Sequence, residues 1–88
     1  MFVFIHHQIH DQRLWKEKVN AMAPPPDSLR RHQFFTATDT TEAACLWETP
    51  SIEELRNYID PALEPASTQT YFQVYEQRAV GLPVSQLT

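Results

Sequence analysis

The chain has 88 residues, a formal net charge of −4 and a single cysteine. Its length predicts one small domain with a marginal core, since a chain of this size buries only about 60–65% of its unfolded surface. One cysteine excludes an internal disulfide and a cysteine-based zinc finger, and it suits a cytoplasmic, reducing compartment. Basic residues cluster only at residues 30–32, which we expect to be a solvated strand end. Nucleic acid is therefore not an expected partner, and neither is a membrane, because no apolar stretch is long enough to span one.

The first half of the chain predicts a strand, a helix and a second strand. Residues 2–9, FVFIHHQI, are rich in the β-branched and aromatic side chains typical of a strand. Asp11 is a suitable N-cap for a helix over residues 12–22. Pro24 to Pro26 end that helix, because consecutive prolines remove backbone donors. Residues 31–38 then form the second strand.

The second half predicts a strand, a capped helix and a last strand. Residues 43–48 form the third strand, and Ser51 and Glu54 after it have the S-x-x-E spacing of a capping box. We expect the helix to be interrupted at Pro61, since proline after an aspartate is typical of a new first turn. Residues 70–77, TYFQVYEQ, form the fourth strand.

This β-α-β-β-α-β order predicts an α+β, ferredoxin-like fold, with a four-stranded antiparallel sheet and two helices on one face. Right-handed crossovers place the first strand between the third and the fourth. We expect residues 1–83 to form a single domain, and residues 84–88 to form a C-terminal tail that lies against a neighbour or frays.

Bulky apolar side chains occupy both faces of the predicted sheet, although two helices can cover only one. Phe2 and Phe4 lie opposite the other apolar residues of their strand, and Phe34 and Phe35 are adjacent and so point to opposite faces. Left uncovered, they would form a larger apolar patch than monomers usually expose. We therefore expect a homodimer in which the two sheets pack face to face.

Three histidines near the first strand are candidate metal ligands: His6, His7 and His10. Adjacent strand residues point to opposite faces, so His6 and His7 cannot hold one ion within a chain, and His10 lies roughly 13 Å from His6 along an extended strand. A site for a divalent metal such as nickel would therefore require either a bend in the strand before His10 or ligands from a second chain. His7 should face the space between sheet and helices, where it is either a candidate catalytic base or a buried neutral imidazole.

Four further residues are candidates for ligand binding: Trp15, Cys45, Trp47 and Tyr58. Trp15 belongs to the inner face of the first helix, and Tyr58 could lie at the mouth of the cleft. Cys45 and Trp47 share one face of the third strand. Aromatic residues at such positions more often belong to the core, and a buried thiol with no nearby base is expected to be inert.

Three segments carry a likeness to a known superfamily: FIHHQIHDQRLWKEK, CLWETPSIEELRNYIDPAL and TYFQVYEQRAVGLP. Across residues 1–83 the chain resembles the dimeric α+β barrel superfamily, which includes antibiotic-biosynthesis monooxygenases, stress-responsive barrel proteins and many uncharacterised bacterial families. One related group with a similar strand-to-helix junction includes nickel-binding proteins. The resemblance implies two subunits with facing sheets, and a ligand cleft between sheet and helices in each. Haem-degrading relatives use a histidine around the second helix, whereas residues 51–63 contain none.

The leading hypothesis is a homodimer that binds a small ligand or a metal in this cleft, with no other cofactor. The alternative is a cofactor-independent monooxygenase or isomerase that acts on a small aromatic substrate, with His7 as base beside Trp15. A third hypothesis is a divalent-metal binder that uses His6, His7 or His10 across the dimer. A cavity of a few hundred Å³ beside His7 would favour an occupied cleft, whereas a space filled by Trp15 and Leu55 would favour a structural role.

Overall fold

A computed structural model describes residues 1–87 and has the predicted order of elements. The strands are β1 (Phe2–Ile9), β2 (Arg30–Thr36), β3 (Glu42–Glu48) and β4 (Ser67–Gln73). The helices are α1 (Gln12–Ala21) and α2 (Ile52–Leu63), and a 3₁₀ helix, Glu76–Arg78, follows β4. In the described part of the chain, every helix is too short or too polar to cross a bilayer.

The four strands form one antiparallel sheet in the order β2-β3-β1-β4. The first strand therefore lies between the third and fourth, as the crossover rule predicts, and the ferredoxin-like α+β fold is confirmed. Register is set around His7, which lies opposite Ala43 on β3 and Gln69 on β4. A bulge between Arg31 and Gln33 shifts the pairing of β2 with β3.

Both helices begin at the predicted caps. The Asp11 carboxylate accepts a bond from the Leu14 N–H at 2.9 Å, and the Ser51 hydroxyl accepts one from the Glu54 N–H at 3.1 Å. The reciprocal half of the predicted capping box is replaced, because the Ser51 N–H donates to Thr49 Oγ1 at 3.3 Å. Thr49 thus accepts the hydrogen bond from the Ser51 N–H that Glu54 was expected to accept.

The predicted break at Pro61 is wrong, because α2 continues through it to Leu63. Leu63 is 2% exposed and packs in the core one turn after Ile59. Beyond the proline, the Glu64 N–H donates to the Asp60 carbonyl at 2.9 Å. Pro61 itself is exposed. The stabilisation from burying the last turn of α2 thus outweighs the loss of the one backbone donor that proline removes.

The last strand begins and ends earlier than the aromatic pattern predicts. It covers Ser67–Gln73 in place of residues 70–77, and its polar first residues pair with the second half of β1. Pairing with a central strand, rather than the position of the aromatic residues, therefore sets these bounds.

The two faces of the sheet have different surroundings. The inner face, against the helices, contributes to a core of twelve buried residues: Val3, Ile5, Ile9, Trp15, Leu29, Ala43, Cys45, Trp47, Leu55, Ile59, Leu63 and Ala66. The opposite face, called the outer face here, carries Phe35 and Phe72, which are 62% and 53% exposed. Phe2 and Leu46 also belong to the outer face, yet both are buried.

The C-terminal segment lies at the buried end of the outer face. Glu48, paired with Phe2 there, accepts hydrogen bonds from the Ser85 hydroxyl and from the Gln86 N–H, the latter at 2.9 Å. Residues 85–86 are therefore bonded to β3 of their own chain.

Candidate functional site

A histidine and the cysteine meet in the core. His7 on β1 and Cys45 on β3 are diagonal neighbours on the inner face, and His7 Nε2 lies 3.2 Å from Cys45 Sγ. The two residues are 1% and 2% exposed. Trp47 Nε1–H also donates to Cys45 Sγ at 3.2 Å, and the Trp15 ring lies 5.1 Å from the His7 ring. Two of the four predicted ligand-binding residues, Trp15 and Cys45, therefore contact the predicted catalytic base, and Trp47 contacts Cys45.

A continuous set of hydrogen bonds extends from this pair to α2. His7 Nδ1 lies 3.3 Å from Gln69 Oε1, and Gln69 Nε2–H donates to Asp60 Oδ1 at 3.4 Å. The Tyr71 hydroxyl donates to the same Asp60 oxygen at 2.6 Å. Because Gln69 Oε1 is an acceptor, the His7 proton is assigned to Nδ1, and Nε2 accepts from the Cys45 thiol. Both ring nitrogens of His7 and the Cys45 thiol then have hydrogen-bond partners.

Burial holds both members of the pair uncharged. It lowers the pKa of His7 from 6.5 to about 4, although the bond to Gln69 opposes the shift. Burial raises the pKa of the Cys45 thiol from 9.0 to about 11, against the opposing effects of Trp47 and Arg31. The charged thiolate–imidazolium form of reactive cysteine sites is therefore disfavoured here.

The space beside the pair is small. A cavity of about 20 Å³, called the inner cavity here, borders His7 and Cys45 and is closed by Trp15, Ile59 and Leu63. A cavity needs roughly 10–15 Å³ to hold one water molecule. The inner cavity therefore has room for about one water and none for an aromatic substrate. The space beside His7 is filled, which is the outcome that favours a structural role for His7.

A much larger opening, called the entrance cleft here, has a volume of about 780 Å³. The end of α1 and the three prolines form one side, and Arg30 and Arg31 at the start of β2 form the other. Trp47 and Tyr58 lie between them, with ring centroids 5.9 Å apart and an edge-on geometry. The Tyr58 hydroxyl donates to the Ala23 carbonyl, which ties α2 to the end of α1.

The entrance cleft and the inner cavity share part of their walls. Val19, Met22, Arg31 and Trp47 border both. The Arg31 guanidinium lies 5.3 Å from the centre of the Phe34 ring, on the inner face of β2. Burial raises the pKa of Tyr58, and the nearby Arg31 charge opposes the shift. The inner cavity thus adjoins the deep end of the entrance cleft, and Arg31 borders both.

Arg31 was expected to be solvated, as part of the basic cluster at residues 30–32, and it was not among the candidate site residues. It is exposed, but it faces the cleft, and among residues 1–87 no carboxylate forms an ion pair with it. The expectation for its neighbour His32 is wrong, because the side chain is only 5% exposed and lies 3.0 Å from Glu48 Oε1. Because the bulge follows Arg31, the side chains of Arg31 and His32 have different surroundings.

A second groove, of about 450 Å³, lies between α1 and β2. Trp15 and Val19 line it from the helix, and Phe34 and Thr36 line it from the strand. Phe34 is 37% exposed there although it faces the helices. The first helix thus leaves part of the inner face of β2 open.

The three candidate metal ligands do not converge in one chain. His6 lies on the outer face, where its Nε2 is 2.8 Å from Glu42 Oε1. His7 is in the core, and His10 Nε2 lies 2.6 Å from the Thr68 hydroxyl at the far end of β1. Within residues 1–87, no three side chains of His, Cys, Asp or Glu are grouped so as to hold a metal ion.

Comparisons of the sequence and the fold with protein-family models, curated proteins and solved structures gave no match. The structure therefore shows the ferredoxin-like α+β fold class alone, which by itself does not identify a function.

Proposed function

We propose that the protein binds a small apolar or aromatic molecule in the entrance cleft. One observation carries the proposal: the cleft has about 780 Å³ of space beside Trp47 and Tyr58. Small-molecule sites typically occupy roughly 300–1,000 Å³ and combine apolar walls with a few polar groups. The cleft also lies between sheet and helices, which is where the resemblance to dimeric barrels implies a ligand.

Binding is favoured over catalysis by His7. Its imidazole is 1% exposed, has a pKa lowered to about 4 by burial, and is bonded at both ring nitrogens. A general base must reach the proton that it removes, and the inner cavity gives about 20 Å³ for that approach. The monooxygenase or isomerase alternative would need the deep end of the cleft to open.

An apolar fluorescent probe tests the binding proposal. N-phenyl-1-naphthylamine is uncharged, and its emission rises when it enters an apolar site. We expect saturable binding to the wild type and weaker binding to Ala23→Phe, because Ala23 lines the entrance cleft. Ala21→Phe is the matched control, since Ala21 is also exposed but lies outside the lining. Absent probe binding, or equal loss in both variants, would contradict the proposal.

The homodimer is part of the proposal and is supported by the outer face. Phe35 and Phe72 are more than half exposed there, and the Phe4 and Phe72 rings are 5.1 Å apart. Burying aromatic area contributes about 25 cal/mol per Å², so covering this patch would stabilise a small domain. A second copy packed sheet to sheet is the arrangement implied by the dimeric barrel likeness.

Sedimentation velocity at micromolar protein tests the dimer. We expect the wild type to sediment as a dimer, and Phe72→Lys to shift the population to monomer, because the substitution places a charge in the apolar contact. Asn57→Lys, on the exposed surface of α2, should leave the dimer intact. A monomeric wild type would remove the dimer from the proposal.

A cytoplasmic location is also proposed, supported by the single cysteine, Cys45, which is buried and forms no disulfide among the described residues. A divalent metal such as nickel remains an alternative ligand, and it would require groups from a second chain because the three histidines of one chain lie far apart. Calorimetry with nickel and zinc tests this alternative, and absence of heat at micromolar protein would remove it.

A further inference from the structure

We infer that the ligand of the entrance cleft is an aromatic anion, whose acidic group binds the Arg31 guanidinium. The inference rests on the proposed binding function and adds the charge of the ligand and the residue that recognises it. It is carried by the position of Arg31, by the balance of charge in the lining, and by the apolar surface next to it.

The charge of the lining is opposite in sign to that of the chain. The whole protein carries −4. Among residues 1–87, the lining of the entrance cleft contains two cations, Arg30 and Arg31, and one carboxylate, Asp27. An excess of positive charge in a concave, partly apolar site concentrates anions there, even when the rest of the surface repels them.

Arg31 is placed to use its charge inside the cleft. It lies opposite Trp47 in the β2–β3 pairing and borders both the entrance cleft and the inner cavity. Its guanidinium stacks over the Phe34 ring at 5.3 Å. The ring is close enough for a cation–π contact, and among the carboxylates of residues 1–87 none forms an ion pair with Arg31.

A guanidinium of this kind suits a planar acidic group. It presents parallel N–H donors that match the two oxygens of a carboxylate, or two oxygens of a sulfonate. The acidic group would therefore bind at the β2 side of the cleft.

The remaining walls suit an aromatic ring. Val19 and Met22 of α1 and Trp47 of β3 surround the junction with the inner cavity, directly beside Arg31. A ring placed there loses contact with water while its acidic group stays on the guanidinium. An aromatic acid meets both requirements, whereas an uncharged aromatic compound meets one.

Two probes that share one ring system test the inference. N-phenyl-1-naphthylamine is neutral, and 1-anilinonaphthalene-8-sulfonate is the same framework with a sulfonate. For the wild type we expect the sulfonate probe to bind about tenfold or more tightly, the ratio typical of one charge-assisted hydrogen bond. Arg31→Gln should abolish this ratio and leave the neutral probe unaffected, and Arg31→Lys should retain part of it.

Arg78→Gln is the matched control, because Arg78 is an exposed cation that stacks on Tyr75 and lies outside the cleft lining. Urea unfolding of each variant establishes that it is folded. Equal affinity for the two probes would overturn the anion while leaving the binding function intact. If the sulfonate probe still binds Arg31→Gln more tightly than the neutral probe does, the role of Arg31 is overturned. If the wild type binds neither probe, the binding function itself is overturned.

Discussion

His7 Nε2 lies 3.2 Å from Cys45 Sγ, and the two side chains form a neutral, fully bonded pair between the sheet and α1. Reactive histidine–cysteine pairs in enzymes rely on partial exposure and on a lowered thiol pKa. Here burial moves both pKa values away from the charged forms. The geometry resembles a reactive pair, but the electrostatics are those of a structural one.

The first prediction concerns the pH dependence of stability. The pKa of His7 is about 4 in the folded protein and 6.5 in the reference state, so the unfolded chain binds the proton more tightly. Folding therefore loses stability as the pH falls from 6.5 towards 4. Between pH 7 and pH 5 we expect His7 to reduce the free energy of unfolding by about 2 kcal/mol.

Urea unfolding at these two pH values checks this prediction. His7→Gln should be less stable than the wild type at pH 7, because the bonds to Cys45 and Gln69 are altered, yet it should lose less stability on acidification. A wild type that is equally stable at both pH values would contradict the buried neutral imidazole.

The second prediction concerns the reactivity of the thiol. A pKa raised from 9.0 to about 11 reduces the thiolate fraction about a hundredfold at any pH well below both values. Limited access to Cys45, which is 2% exposed, slows the reaction further. We expect a disulfide reagent to label native Cys45 at least a hundredfold more slowly than the unfolded chain, as measured by absorbance. Comparable rates in the two states would contradict a closed inner cavity.

The third prediction concerns the start of α2. Ser51→Ala should lower the free energy of unfolding by about 1 kcal/mol, because the Glu54 N–H loses its acceptor. Ser51→Asp should restore most of the loss. Glu54→Ala should cost only a few tenths of a kcal/mol, since the Ser51 N–H is bonded to Thr49. A larger cost for Glu54→Ala than for Ser51→Ala in urea unfolding would instead support the reciprocal capping box.

The fourth prediction concerns the attachment of the C-terminal segment. Burial alone would raise the pKa of Glu48, but hydrogen bonds from Ser85, Gln86 and His32 outweigh it and lower the pKa to about 2. The resulting stabilisation is present above the reference pKa of 4.5 and is lost as the pH falls towards 2. Glu48→Gln should therefore cost roughly 2–3 kcal/mol at pH 7.

The cost of Glu48→Gln should shrink when unfolding is measured at pH 3. Ser85→Ala, which removes one donor to Glu48, should cost about 1 kcal/mol at neutral pH. A cost for Glu48→Gln that is the same at both pH values would show that the carboxylate does not hold the segment.

Local patterns were sufficient for the fold. The β-branched and aromatic composition of residues 2–9 predicts β1, and Asp11 and Ser51 locate the starts of both helices. The crossover rule then gives the strand order. The prediction of a helix break at Pro61 failed, because the burial of Leu63 after it depends on tertiary packing that a local rule does not contain.

The site depends on contacts that local patterns do not encode. His7 and Cys45 are 38 residues apart, and they meet only because His7 pairs with Ala43 in this particular register. The sequence places His7 on the inner face and Cys45 on the same strand face as Trp47, but the bond between His7 and Cys45 requires the diagonal relation across two strands. The hydrogen-bond partners of Glu48 likewise come from distant segments, namely β2 and residues 85–86.

Both tryptophans of the chain touch the pair described above: the Trp15 ring packs against the imidazole, and the Trp47 indole donates to the sulfur. The tryptophan emission of the protein therefore originates within a few ångströms of the His7–Cys45 pair and of the inner cavity. Tryptophan fluorescence can therefore follow titration with acid, oxidant or ligand without an added dye, because both tryptophans lie beside the His7–Cys45 pair.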